Sequence, residues 1–100
     1  MRRDDALAIL KARAPELREL GIVHLSLFGS IARDEASDSS DVGVAVRLEE
    51  IPSGFATLGR LDQIKHRLGE LLRARVDVIP EPSHPSPLKT AIDRDRYLVF

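Results

Sequence analysis

Two short segments carry the side chains with the clearest chemical potential. Leu27-Phe28-Gly29-Ser30 runs an apolar stretch into a glycine–serine turn. Ten residues on, Ser40-Asp41-Val42-Gly43-Val44 opens a second apolar stretch with a carboxylate. A glycine at a strand end lets backbone N–H groups approach a phosphate closely, and a helix starting there adds the positive end of its dipole. Serine donates one more hydrogen bond. The same pair serves equally as a tight turn with Ser30 as a helix cap. Alternate residues of a strand share a face, so positions 41, 43 and 45 point one way. Carboxylates at both 41 and 43 would aim two hard oxygen ligands at one spot, which suits magnesium. Two such ions about 4 Å apart clamp the attacking and leaving oxygens of a phosphoryl displacement. Position 43 is glycine, however, and supplies no ligand. Asp41 alone also fits a turn or helix cap after Ser39-Ser40.

A third carboxylate, Asp77, lies between Val76 and Val78 in an otherwise apolar run. Uncompensated burial of a charge is costly, so Asp77 is either at a sheet edge, a metal ligand or the partner of a nearby arginine such as Arg73 or Arg75. Arg33, Asp34 and Glu35 fit a solvated charged face, and Arg33 could instead reach a phosphate. Lys65, Arg67, Arg73 and Arg75 flank an amphipathic stripe and fit ordinary solubilising charge.

The elements that must position these groups follow from periodicity. Leu7, Leu10, Ala14, Leu17 and Leu20 recur at steps of three and four, predicting a helical stripe between Ala6 and Leu20. Pro15 interrupts it, so the first helix should end near Ala14, with a further turn or short helix from Pro15 and a stop at Gly21. Ile22–Phe28 reads as a buried strand, Ser30–Asp34 as the start of a short helix, and Asp34–Asp41 as loop. Val42–Leu48 reads as a second strand, weakened at its centre by Gly43 and Ala45. Glu49–Gly54 is a connection. Phe55, Leu58, Leu61, Ile64, Leu68, Leu71 and Leu72 then mark a helix of about five turns. Arg75–Ile79 reads as a third strand, Pro80–Pro87 as an extended proline-rich linker, and Leu88–Arg94 as a last short helix before the apolar ending Tyr97–Phe100. Alternation of this kind predicts an α/β fold, a small mixed sheet covered by helices. With 100 residues there is room for a single domain, residues 1–100.

Composition narrows the function classes. The 15 basic and 16 acidic residues nearly cancel. That balance argues against direct binding of long nucleic acid, which usually needs a basic face. A magnesium-bound mononucleotide is not excluded by it. The chain has no cysteine, and His24, His66 and His84 are scattered, so neither thiolate sites nor a clustered histidine zinc site is expected. The N-terminus has no apolar signal core and no run approaches a membrane span, so a soluble cytoplasmic protein is expected.

Taken jointly, Leu27-Phe28-Gly29-Ser30-Ile31-Ala32-Arg33-Asp34-Glu35-Ala36, then Ser40-Asp41-Val42-Gly43-Val44-Ala45-Val46, resembles the minimal nucleotidyltransferase (MNT) family of the DNA polymerase β superfamily. The fingerprint there is Gly-Ser, about ten residues, Asp-x-Asp in a strand, and later a lone Asp in another strand. The resemblance spans essentially the whole chain. It implies a nucleotidyltransferase fold, ATP as nucleotide and two Mg2+ ions. Gly29 and Ser30, with Arg33 as a further candidate, would be nucleotide-binding. Asp41 and Asp77 would be catalytic and metal-ligating, with Asp77 serving the ion nearer the attacking hydroxyl. Asp38 or Glu35 could lean in as a substitute for the carboxylate missing at 43, but neither lies on the strand face. Small members of the family resemble antitoxins that transfer AMP from ATP to a tyrosine hydroxyl of a HEPN-domain RNase toxin. The implied function is therefore an MNT-type antitoxin with a HEPN-domain toxin as partner. Gly43 departs from the pattern, so transferase activity should be impaired. The alternative is a non-catalytic module that neutralises or scaffolds its partner by contact.

Overall fold

A computed structural model describes residues 1–37, 40–49, 54–81 and 85–100, of which 54–58 by their backbone only. Helix α1 spans Arg3–Ala12 and α2 spans Ala14–Glu19, the break falling one residue before the expected proline position. Pro15 sits in the first turn of α2, where its missing N–H would have been unpartnered anyway. Gly21, at φ +94°, then turns the chain into strand β1, Ile22–Phe28. Strand β2 is Val42–Leu48, helix α3 Gly54–Leu72, strand β3 Val76–Glu81, helix α4 Pro87–Asp95, and strand β4 Tyr97–Leu98.

The four strands form one mixed sheet in the order β3-β2-β1-β4. The β1/β2 and β1/β4 pairs are antiparallel and β2/β3 is parallel. One face carries Leu25, Leu27, Val42, Val44, Val46 and Val76, which pack with Leu10 of α1, Leu17 of α2 and Ile64, Leu68 and Leu72 of α3 in one buried cluster. These helices need the sheet because short amphipathic helices gain most of their stability from burying their apolar stripe. The other face presents Ser26, Phe28, Gly43, Ala45 and Asp77. Helix α4 lies against β1, and Ile92 is buried outside the main cluster. The Ser86 hydroxyl caps α4 by accepting the Lys89 N–H at 3.0 Å.

Four expectations need correction. Residues 30–34 form turns and no helix, because Asp34 adopts φ +59° after a single turn. Its carboxylate accepts from the Arg3 backbone N–H at 3.1 Å and from Arg2 at 3.3 Å, which ties the turn to α1. The third strand runs on through Pro80 and Glu81, opposite Val46 and Arg47, into what reads in sequence as linker. Pro80 is tolerated because β3 is an edge strand. The apolar ending supplies a fourth strand, with Ser26 opposite Leu98 and Leu27 opposite Tyr97. Glycine and alanine at 43 and 45 do not interrupt β2, which pairs along its whole length. Asp38, residues 50–53 of the connection, 82–84 of the linker and the Phe55 and Leu58 side chains lie outside the described residues.

Candidate functional site

The sheet register brings the candidate residues to one end of the molecule. Strand β1 runs out at Phe28, opposite Gly43, so Gly29 and Ser30 leave the sheet at the end where Asp41 enters it. The parallel pairing sets Gly43 beside Asp77, and the Val42 N–H donates to the Arg75 carbonyl at 2.9 Å. Positions 41 and 43 share a face by alternation, and 43 and 77 share it as neighbours in the parallel ladder. Asp41 and Asp77 are both exposed, and both line a cavity of about 570 Å³ beside the β3 edge, together with Arg75 and with Asp62, Lys65 and His66 of α3. Gly29 and Ser30 are not part of its lining.

The Gly-Ser turn has the features of an anion cradle. Gly29 takes φ +75°, a conformation that favours glycine, and a Cβ there would meet nothing within 4 Å. The N–H groups of Ala32 and Arg33 both donate to the Gly29 carbonyl, and that of Glu35 to the Ser30 carbonyl at 2.8 Å. Among the described residues, the Ser30 hydroxyl and the amides of Ser30 and Ile31 have no protein partner. Successive unpartnered N–H groups in a turn form a concavity suited to phosphate oxygens. The Ile31 amide is a contributor that sequence reading does not flag, because any residue type supplies it.

Arg33 stands differently. Its Nη1 donates to Asp95 at 2.5 Å and its Nε to Glu35 at 3.1 Å. Hydrogen bonding to Glu35 and then Asp95 raises its already high pKa. Arg33 thus holds the turn against the end of α4, and reaching a phosphate would require it to give up both carboxylates. Glu35, considered as a substitute ligand, is engaged in that pair.

A second ion-pair group fastens α4 to β3. Arg96 donates to both carboxylate oxygens of Glu81, at 2.7 Å from Nη1 and by a shorter contact from Nη2, and to Asp93 at 3.1 Å. Nη1 also reaches the buried Ser26 hydroxyl at 3.3 Å. The hydrogen bonds from Arg96 hold the Glu81 carboxyl below its usual range, against the opposing effect of partial burial.

The donor set does not fit the two-magnesium clamp that the sequence resemblance implies. Asp41 and Asp77 offer carboxylates, but position 43 between them supplies no donor. A Cβ on Gly43 would lie 2.8 Å from the Phe28 carbonyl oxygen and 2.9 Å from two carbons at the far edge of the Phe28 ring. Among the described residues, no three His, Asp or Glu side chains are grouped to hold a metal ion. None of the described helices is long and apolar enough to cross a membrane.

The profile of a nucleotidyltransferase domain matches residues 9–99. Protein adenylyltransferase MntA of Thermococcus cleftensis is 37% identical over 89 residues, covering 88% of this chain and 86% of the relative. A solved structure of a candidate minimal nucleotidyltransferase superimposes with a TM-score of 0.77 at 29% identity, over 97% of this chain and 95% of that one. A chain in the complex of a tri-AMPylated Shewanella oneidensis HEPN toxin with an MNT antitoxin gives a TM-score of 0.64 at 15% identity, over 94% of this chain and 71% of that one. That last likeness is one of fold.

Proposed function

The chain belongs to the nucleotidyltransferase domain family, and from that premise we propose that it is an MNT-type antitoxin that restrains a HEPN-domain toxin chiefly by contact. Its likeness to the Thermococcus cleftensis enzyme supports descent from a protein adenylyltransferase, and the toxin–antitoxin complex of the same fold supports the class of partner. In this reading ATP phosphates would lie against the backbone amides of Ser30 and Ile31 and the Ser30 hydroxyl. Asp41 and Asp77 would be the surviving carboxylates of the site.

The single observation that carries the reading is the state of position 43. Two carboxylates flank a glycine that supplies no ligand of its own. Nucleotidyl transfer depends almost wholly on positioning and charge neutralisation, so a missing charge in that set removes catalysis more readily than it removes binding. The fold, and with it any partner-binding surface, does not depend on the missing carboxylate.

The test is co-expression with a HEPN-domain toxin from the same genome, an adjacent reading frame being the first place to look for it. Growth should be restored, and the two proteins should co-purify in the absence of ATP. Failure to co-purify, or rescue that requires ATP-dependent modification of the toxin, would refute contact as the means of restraint.

A further inference from the structure

A cavity of about 450 Å³ lies between α4 and the sheet, and no residue lines both it and the cavity beside Asp77. Arg47, part of its lining, stands four residues along β2 from Gly43, about 13 Å away at the usual rise of a strand. Ser26, 1% exposed, is its buried polar residue, and the small Ala45 opposite it on β2 leaves room above the sheet. The Ser26 Oγ accepts from Arg96 Nη1 at 3.3 Å, so its own proton must point elsewhere. That proton meets no acceptor among the described residues. A buried donor left unspent costs about 1–3 kcal/mol, which points to an acceptor from outside the chain.

The charges around the cavity do not cancel. Glu81 and Asp93 are matched by Arg96, which donates to both, and by Lys89, whose Nζ reaches Asp93 at 2.6 Å. Arg47 and His24 remain. They stand opposite each other across the β1/β2 pair, and neither makes a hydrogen bond or ion pair among the described residues. The β1/β2 register slips between Ile22 and His24, so Ile22 stays in the core while His24 faces the cavity. A regular strand would set both on one face, and a bulge of this kind re-aims a side chain.

We propose that this cavity binds the phosphate of a small phosphomonoester, with the Ser26 hydroxyl donating from below and the Arg47 guanidinium from the side. A terminal phosphate fits this set better than a carboxylate does. It carries nearly two negative charges and three acceptor oxygens, enough to meet the hydroxyl and the planar fork of an arginine together. His24 supplies a further ring N–H beside Arg47. Leu98, 58% exposed, offers an apolar wall to the organic part of the ligand. Arg96 is a positioning residue: its bonds to Glu81 and Asp93 hold it on the Ser26 oxygen and so aim the hydroxyl proton away from itself. The site depends neither on position 43 nor on the protein partner.

The experiment titrates the full, 15N-labelled chain with phenyl phosphate, and separately with benzoate, and follows the backbone amide shifts. Phenyl phosphate should give saturable shifts at Ser26, Arg47 and Leu98. Arg47→Gln removes an exposed side chain outside any ion pair among the described residues, so the fold should be unaffected. It should weaken binding by about tenfold or more, the usual effect of losing a charge-assisted hydrogen bond. Ser26→Ala should weaken it by about three- to tenfold. Circular dichroism checks both variants, and Arg47→Gln decides alone if Ser26→Ala does not fold. Saturable shifts confined to Ser30 and Ile31, binding that Arg47→Gln leaves unchanged, or no saturable shift at all would overturn the site. Benzoate bound as tightly as phenyl phosphate would overturn the assignment to phosphate.

Discussion

Replacing both Asp41 and Asp77 by alanine should leave toxin neutralisation intact. Both carboxylates are exposed, and neither takes part in a hydrogen bond or ion pair among the described residues. Surface changes of that kind usually stay within about ±0.5 kcal/mol. For a domain of this size that corresponds to about 2–4 °C in Tm for each change, and to no more than about 4–8 °C for the two together. The effect on catalysis is separate and much larger. Loss of one metal-binding carboxylate is worth about 3–5 kcal/mol of transition-state stabilisation, or on the order of a hundred- to several-thousand-fold in rate. In the proposed reading the native chain carries that deficit at position 43, and removing Asp41 and Asp77 would take away what remains. If restraint works by contact, cells producing the HEPN partner should grow as well with the double variant as with the native chain. If residual AMP transfer is what protects them, growth should collapse although the variant folds and melts normally. That second outcome would refute the reasoning.

Gly29→Ala should lower stability by about 1–2 kcal/mol, because the cost lies in the φ of +75° and not in a clash. Gly29→Asn should cost less, since asparagine tolerates that conformation, and denaturant unfolding of the pair would show the order. The depressed Glu81 carboxyl makes stability pH-dependent in a defined direction. Its pairing with Arg96 contributes fully above the ordinary value of 4.5 and is lost as pH falls through the lower folded value. Glu81→Gln should therefore melt lower than the native chain at neutral pH and flatten the fall in Tm below about pH 4.5, measured by calorimetry across that range.

Much of the scaffold is legible in the sequence because it rests on local periodicity. Both long strands, Ile22–Phe28 and Val42–Leu48, follow from apolar and β-branched runs, and α3 follows from its leucine spacing. What the sequence hides depends on pairing at a distance. Strand β4 exists because Tyr97 and Leu98 find the free edge of β1, and two residues have no periodicity to read. Pro80 joins β3 because that strand happens to be at an edge. The Ser30–Asp34 turn fails to become a helix because of a backbone angle held in place by Arg2 and Arg3.

The site divides in the same way. Gly29, Ser30, Asp41 and Asp77 stand out by type and spacing, and the register carries them to one end of the sheet. The engagement of Arg33 is invisible in sequence, since its partner Asp95 is 62 residues away. The absence of a carboxylate at 43 is plain from the letters alone. That the Phe28 carbonyl and ring edge lie 2.8–2.9 Å from where a side chain at 43 would begin depends on the β1/β2 register.

The most direct test of contact restraint is the intact mass of the HEPN partner after incubation with this chain, ATP and Mg2+. Contact restraint should give a stoichiometric complex in which the toxin's ribonuclease activity is suppressed while its tyrosines remain unmodified. A relative with both Asp-x-Asp carboxylates should modify its own partner under the same conditions. Stoichiometric AMP on the toxin at a comparable rate would contradict the account.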